Sequence, residues 1–169
     1  RAPPSGDHNP GAGGGETILV DGFRAAEWLR RDSPEYFALL STHEVPFHFQ
    51  DAANDLRARS RLISTDPDGA IRAVRYNNRS TAALDLPADV MAGFYAAYRH
   101  FGMLLRAPEA ELGFRLAPGD LVIMDNHRVL HGRRQFGDDA GRHLQGCYAD
   151  WDALDSFLRI NKASRDETG

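Results

Sequence analysis

Thr17-Ile18-Leu19-Val20 is a short apolar, largely β-branched run that stops at Asp21-Gly22, which predicts a buried strand closed by a turn. A helix is expected next, from about Arg24 to Arg31. Ser33-Pro34-Glu35 then combines an N-cap residue, a proline at the first helical position and an early acid, and starts a second short helix through Leu40. Val45-Pro46-Phe47-His48-Phe49 alternates apolar and polar like a strand, with Pro46 suited to its edge or first position. Residues 51–60 are polar and read as loop. Arg61 to Thr65 and Ala70 to Tyr76 flank Pro67-Asp68-Gly69, a turn signal that predicts two antiparallel strands.

The longest periodic segment opens at Pro87-Ala88-Asp89. Val90, Phe94, Ala97, Phe101 and Leu105 recur at helical spacing, with Met91, Tyr98 and Leu104 widening the stripe. This predicts an amphipathic helix packed on a sheet. Leu112 to Leu116 alternates as a strand, Pro118-Gly119-Asp120 is a tight turn, and Leu121 to Met124 is an almost continuous apolar run expected as a central strand. Arg142 to Ala149 is expected as a last long strand. Short antiparallel strands joined by turns, with one substantial helix outside them, predict a mainly β chain with flanking helices, a jelly-roll or similar two-sheet barrel. The domain limits read as a Gly/Pro-rich lead-in over 1–15, a folded domain over 16–160 and a polar tail over 161–169.

Composition narrows the function classes. With 169 residues, 42% hydrophobic and 26% charged, the chain is the size and character of one globular domain. Twenty Lys and Arg against 24 Asp and Glu leave a net charge of −4 without a block of like charge, which argues against nucleic acid or an anionic membrane as partner. No apolar run approaches the ~18 residues that span a bilayer. The lone Cys147 forms no internal disulfide, so a reducing cytoplasm is the expected compartment. The first residue is Arg1, which suggests a processed or trimmed piece. A small-molecule substrate is the expected partner, and a homo-oligomer is left open.

Candidate chemistry crowds residues 119–152. Asp125-Asn126-His127-Arg128-Val129-Leu130-His131-Gly132-Arg133 sets two histidines near a turn, and Arg142 follows His131 by eleven residues. In a strand, Arg142, Leu144, Gly146 and Tyr148 share one face, with Arg142 and Tyr148 roughly 20 Å apart, a span suited to opposite ends of an elongated site.

Gly14-Gly15-Glu16-Thr17, Leu19-Val20-Asp21-Gly22-Phe23, Tyr76-Asn77-Asn78-Arg79-Ser80, Pro118-Gly119-Asp120, Asp125-Asn126, Leu130-His131-Gly132-Arg133 and Arg142-His143-Leu144-Gln145-Gly146-Cys147-Tyr148 occur in this order. Together they resemble the γ-butyrobetaine dioxygenase family and its trimethyllysine dioxygenase relatives, within the taurine-dioxygenase-like group. The resemblance covers nearly everything from Gly14 to about Ile160. It implies a double-stranded β-helix holding Fe(II) between two histidines and a carboxylate, with 2-oxoglutarate as cosubstrate. On that basis His131 is the distal metal-ligating histidine, and Arg142 is the arginine whose planar fork holds a 2-oxoglutarate carboxylate. Thr17 assists cosubstrate binding. Asn77 and Tyr148 line the substrate pocket, Tyr148 as one wall of a cage that attracts a trimethylammonium group by cation–π interaction.

The chain also departs from that pattern. The family's His-x-Asp pair lies a couple of dozen residues before Gly-Gly-Glu-Thr, and no His-x-Asp occurs in this sequence; Asp7-His8 is the nearest substitute. The expectation is a jelly-roll truncated on its N-terminal side, supplying one iron ligand of three and inactive alone. The alternative is a non-catalytic truncated or degenerate jelly-roll that binds a small molecule or partner without metal; a metal-dependent hydrolase on the same fold ranks third. Blander roles stand beside each assignment. His127 reads as structural or solvent-facing, Arg142 could pair with Asp138 or Asp139, Asn77 could cap a hairpin end, and Cys147 reads as a small buried residue.

Overall fold

The computed structural model describes residues 16–77, 79–134 and 144–166, the last four as backbone only. The chain divides into two compact units, Arg1–Gly137 and Asp138–Gly169.

In the first unit, β1 (Thr17–Asp21) leads directly into α1 (Gly22–Asp32), and Ser33 separates α1 from α2 (Pro34–Thr42). Asp21 caps α1, its carboxylate accepting from the Phe23 and Arg24 amides at 3.1 and 3.3 Å. Next come β2 (Glu44–Gln50), β3 (Asp55–Arg61), β4 (Ile63–Thr65), β5 (Ile71–Val74), α3 (Ala88–Leu104), β6 (Glu111–Phe114) and β7 (Val129–Arg133). The strands form a three-stranded antiparallel sheet in the order β6-β1-β7 and two hairpins, β2-β3 and β4-β5. Ser33 occupies the N-cap position of α2 without a side-chain capping bond, leaving Pro34 as the start signal that acts there.

The helical stripe of α3 packs as expected. Phe94, Ala97, Phe101 and Leu105 are buried together with Ala25, Ala26 and Leu29 of α1, Leu40 of α2, and Val45, Leu62, Ile63 and Val74 from the hairpin region. The three-stranded sheet adds one face to this core: Val20 is buried, and Ile18 and Leu130 pack against it.

Three segment readings are corrected. Residues 55–60, read as loop, belong to β3 (Asp55–Arg61), because Leu56, Ala58 and Ser60 alternate with Arg57, Arg59 and Arg61 opposite β2. Three arginines concealed that period-two pattern. Leu121–Met124 makes no ladder, and Leu121 and Ile123 are 80% and 86% exposed; a strand apolar on both faces needs cover on both, which the described residues do not provide. Residues 144–149 likewise form no strand, and Cys147 among them is exposed rather than buried. Among the described residues the strands do not close into a barrel, and β6 and β7 keep open outer edges. The second unit contains α4 (Trp151–Asp166), which reaches into the segment read as a polar tail. No helix among the described residues is long and apolar enough to cross a membrane.

Phe101 is fully buried and touches the Tyr76 ring edge-on at 5.9 Å. Phe101→Ala is expected to lower unfolding stability by about 3–5 kcal/mol, measured by urea denaturation; a loss under ~1 kcal/mol would contradict α3 as the centre of the core.

Candidate functional site

The β6-β1-β7 sheet sorts its side chains by register. Leu19 lies opposite His131 on β7 and Leu112 on β6, while Thr17 lies opposite Arg133 and Phe114. Directly opposed residues project to the same side of a sheet. Thr17, Leu19, Leu112, Phe114, His131 and Arg133 therefore share one face, and Ile18, Val20 and Leu130 share the other, which packs on the helical core. His131 is exposed, and Leu112 beside it on this sheet face is 61% exposed.

The entry to β7 is tightly held. Arg128 donates to both Asp21 carboxylate oxygens, Nε to Oδ1 at 3.1 Å and Nη2 to Oδ2 at 2.6 Å. The Arg128 carbonyl accepts from the Gly22 amide at 2.9 Å, and the His127 carbonyl accepts from the Val74 amide at 2.9 Å. A Cβ on Gly22 would lie 2.8 Å from that Arg128 oxygen and 3.1 Å from the Val74 Cβ, so the junction closes only with glycine. The Asp125 carboxylate accepts from the His127 amide at 2.9 Å, and the Asp125 carbonyl accepts from Val129 at 2.7 Å. His127 thus sits in a hydrogen-bonded turn with an exposed side chain, in keeping with its structural reading. The Arg128 hydrogen bond, opposed by partial burial, holds the Asp21 carboxyl below its ordinary range, and the same pair raises Arg128.

Of the sequence-predicted residues, Thr17 and His131 are brought onto one sheet face. Asn77 follows β5 in the same unit. Its Oδ1 accepts from the Arg79 amide at 2.9 Å, and its carbonyl accepts from the Thr81 hydroxyl at 2.5 Å and the Thr81 amide at 3.2 Å. Asn77 therefore does organise a turn, as its blander reading held, while its side chain stays exposed. Tyr148 is 85% exposed within the second unit. Arg142 lies outside the described residues, as do Asp7 and His8. Among the described residues no three His, Cys, Asp or Glu side chains converge on a point, so these residues do not by themselves fit an iron site; His131 offers one imidazole. Sequence reasoning missed β7 itself and the Asp21–Arg128 pair, for which Asp21-Gly22 ahead of a helix was the available signal.

Residues 3–148 match the family model "Taurine catabolism dioxygenase TauD, TfdA family". The chain belongs to this family. This is the taurine-dioxygenase-like group to which the resemblance pointed. The chain is similar to gamma-butyrobetaine dioxygenase of Homo sapiens, 36% identical over 155 residues covering 87% of this chain and 40% of that protein. Gamma-butyrobetaine dioxygenase of Pseudomonas sp. (strain AK-1) is 40% identical over 150 residues, covering 88% and 39%. Mitochondrial trimethyllysine dioxygenase of Rattus norvegicus is 38% identical over 155 residues, covering 87% and 36%. The chain thus spans about two fifths of the length of these relatives. Among solved structures, an alpha-ketoglutarate dependent 2,4-D dioxygenase from Burkholderia xenovorans superposes with a TM-score of 0.58 at 17% identity, over 78% of this chain and 54% of that one. That likeness places the fold with the TauD-like dioxygenases.

Asp21→Ala is expected to cost about 1–2 kcal/mol from the lost cap alone, with Arg128 losing its partner as well. Because the folded-state pKa of Asp21 lies below its unfolded value of about 3.8, the contribution is complete above that value and disappears as pH falls through the lower, folded one. Urea titrations from pH 6 to pH 2.5 should show the wild-type advantage over Asp21→Ala shrinking only below about pH 4; an advantage that stays constant to pH 2.5 would contradict the pairing.

Proposed function

We propose that this chain is the C-terminal part of the catalytic domain of an Fe(II)- and 2-oxoglutarate-dependent hydroxylase acting on a small betaine-like or trimethylated amine. The observation that carries the reading is the placement of Thr17 and His131 on adjacent strands, on the sheet face opposite the helical core. A face that sets Leu19, Leu112 and Phe114 beside the His131 imidazole, the Thr17 hydroxyl and the Arg133 guanidinium suits the interior of a two-sheet oxygenase, apolar with a few polar groups. The names of the relatives, gamma-butyrobetaine dioxygenase and trimethyllysine dioxygenase, support the substrate class.

In this reading His131 contributes one metal ligand, Arg142 grips a 2-oxoglutarate carboxylate through its planar fork, and the Thr17 hydroxyl assists at the cosubstrate. Asn77 and Tyr148 shape the substrate end, Tyr148 through attraction of its ring for a trimethylammonium cation. The remaining metal ligands come from outside the described residues, which accords with the two-fifths coverage of the relatives. The second reading, a non-catalytic module, gains no support from the dioxygenase relatives.

Anaerobic titration with Fe(II) and 2-oxoglutarate separates the readings through the charge-transfer band of the metal-bound cosubstrate. The chain alone is expected to show no band at near-stoichiometric iron, and a polypeptide extended upstream to include a His-x-Asp pair is expected to show it. A band in the chain alone would make it a self-sufficient metal site, whereas none in either would favour the non-catalytic module. In the extended protein, His131→Ala is expected to reduce turnover beyond the ~10–100-fold that loss of an outer-shell partner costs; retained turnover in a steady-state assay would overturn the ligand assignment.

A further inference from the structure

β7 ends in Arg133, and Arg134 follows it. The two arginines serve opposite faces of the three-stranded sheet. Arg134 Nη2 donates to Glu111 Oε2 at 2.8 Å, its Nε lies 3.3 Å from Glu16 Oε2, and its amide donates to the Glu16 carbonyl at 3.0 Å. Glu111 is the register partner of Val20, so Arg134 is held on the helical side and clasps β1 to β6.

Arg133 belongs to the other side. It is the register partner of Thr17, which sets their Cβ atoms roughly 4.5–5.5 Å apart on the face that carries His131. His131 lies two residues back along β7, a step of about 6.5 Å. The Thr17 hydroxyl and the Arg133 guanidinium are therefore neighbouring groups one strand step from the imidazole. Among the residues paired in this sheet, Asp21 is the acid in register on the same face, and it sits at the far end of β1. There Arg128 and the amides of Phe23 and Arg24 take up its oxygens. Beside Thr17 the face thus offers what a carboxylate needs, a planar and permanently charged fork with a hydroxyl next to it.

The spacing selects which carboxylate. An extended five-carbon 2-oxo dicarboxylic acid places its two carboxyl carbons about 5 Å apart, at ~1.5 Å per C–C bond. That length is close to the step from His131 to Arg133. With its 2-oxo end on the His131 side, such a molecule presents its far carboxylate to Arg133 and Thr17, whereas a monocarboxylic 2-oxo acid leaves them nothing to bind.

We propose that Arg133, paired with Thr17, receives the far carboxylate of 2-oxoglutarate and makes the site select a dicarboxylate cosubstrate. This rests on the reading that the sheet face is an oxygenase site. Arg133 joins Arg142 at the cosubstrate, and strand register rather than a motif puts it there.

The test uses the longest natural polypeptide carrying this sequence, loaded anaerobically with Mn(II). It is titrated calorimetrically with 2-oxoglutarate and with 2-oxopentanoate, which keeps the five carbons and carries a methyl in place of the far carboxylate. Arg133 is exposed, so its replacement leaves the core untouched. Arg133→Gln is expected to raise the dissociation constant for 2-oxoglutarate roughly 10–100-fold, the scale of losing charge-assisted hydrogen bonds. Affinity for 2-oxopentanoate, and for Mn(II) without a 2-oxo acid, should stay within about twofold of wild type. Arg133→Lys, which keeps the charge without the fork, should fall between wild type and Arg133→Gln. Unchanged 2-oxoglutarate affinity in Arg133→Gln, or loss of both acids or of Mn(II) to the same extent, would overturn the proposal while the functional reading stands. A wild-type protein that binds Mn(II) but not 2-oxoglutarate would overturn the functional reading, and the proposal with it.

Discussion

The Asp21 carboxylate holds three elements at once. It ends β1, caps α1 and pairs with Arg128 at the entry to β7. Because Asp21 and Val129 are register partners, the ion pair fixes which β7 residue meets which β1 residue, and a shift of one position would turn His131 toward the helices. Gly22 lets the Arg128 carbonyl approach the first turn of α1, and the Val74–His127 bond fastens the same junction to β5. At 34% side-chain exposure for Asp21 this is not a buried ion pair, and its strength comes from geometry: a bidentate fork combined with a helix cap.

From that junction the sheet divides the molecule's chemistry. One face, through Val20, Ile18 and Leu130, joins the core built around Phe94 and Phe101. The other carries Thr17 and His131 with Leu19, Leu112, Phe114 and Arg133. The same core supports the Asn77 turn, since Tyr76 and Tyr98 extend the aromatic packing of α3 to the chain segment after β5. Burial among these aromatic rings raises the Tyr98 phenol to about 12.

Much of this was legible from side-chain periodicity. The α3 stripe, the Thr17–Val20 strand and the Asp66–Gly69 hairpin turn follow from local rules, because each is decided by residues within one or two turns of the chain. The Arg57-Arg59-Arg61 strand was obscured because its polar face is solvated and held by ion pairs such as Arg59–Asp85 rather than by burial. Leu121–Met124 misled in the opposite direction, since an apolar run predicts burial but not whether its covering layer is present. At the site, His131 and Thr17 were named from motif resemblance, yet their common face depends on long-range register, which no short motif encodes.

The central claim is that the sheet face bearing His131 and Thr17 is the interior of an oxygenase site. A crystal structure of the longest natural polypeptide carrying this sequence, grown anaerobically with Mn(II) and 2-oxoglutarate, tests it most directly through the anomalous signal of the metal. The account predicts the metal on the Leu19–Leu112 side of the sheet, coordinated by the His131 imidazole. A metal bound elsewhere, with His131 remaining in solvent, would contradict it.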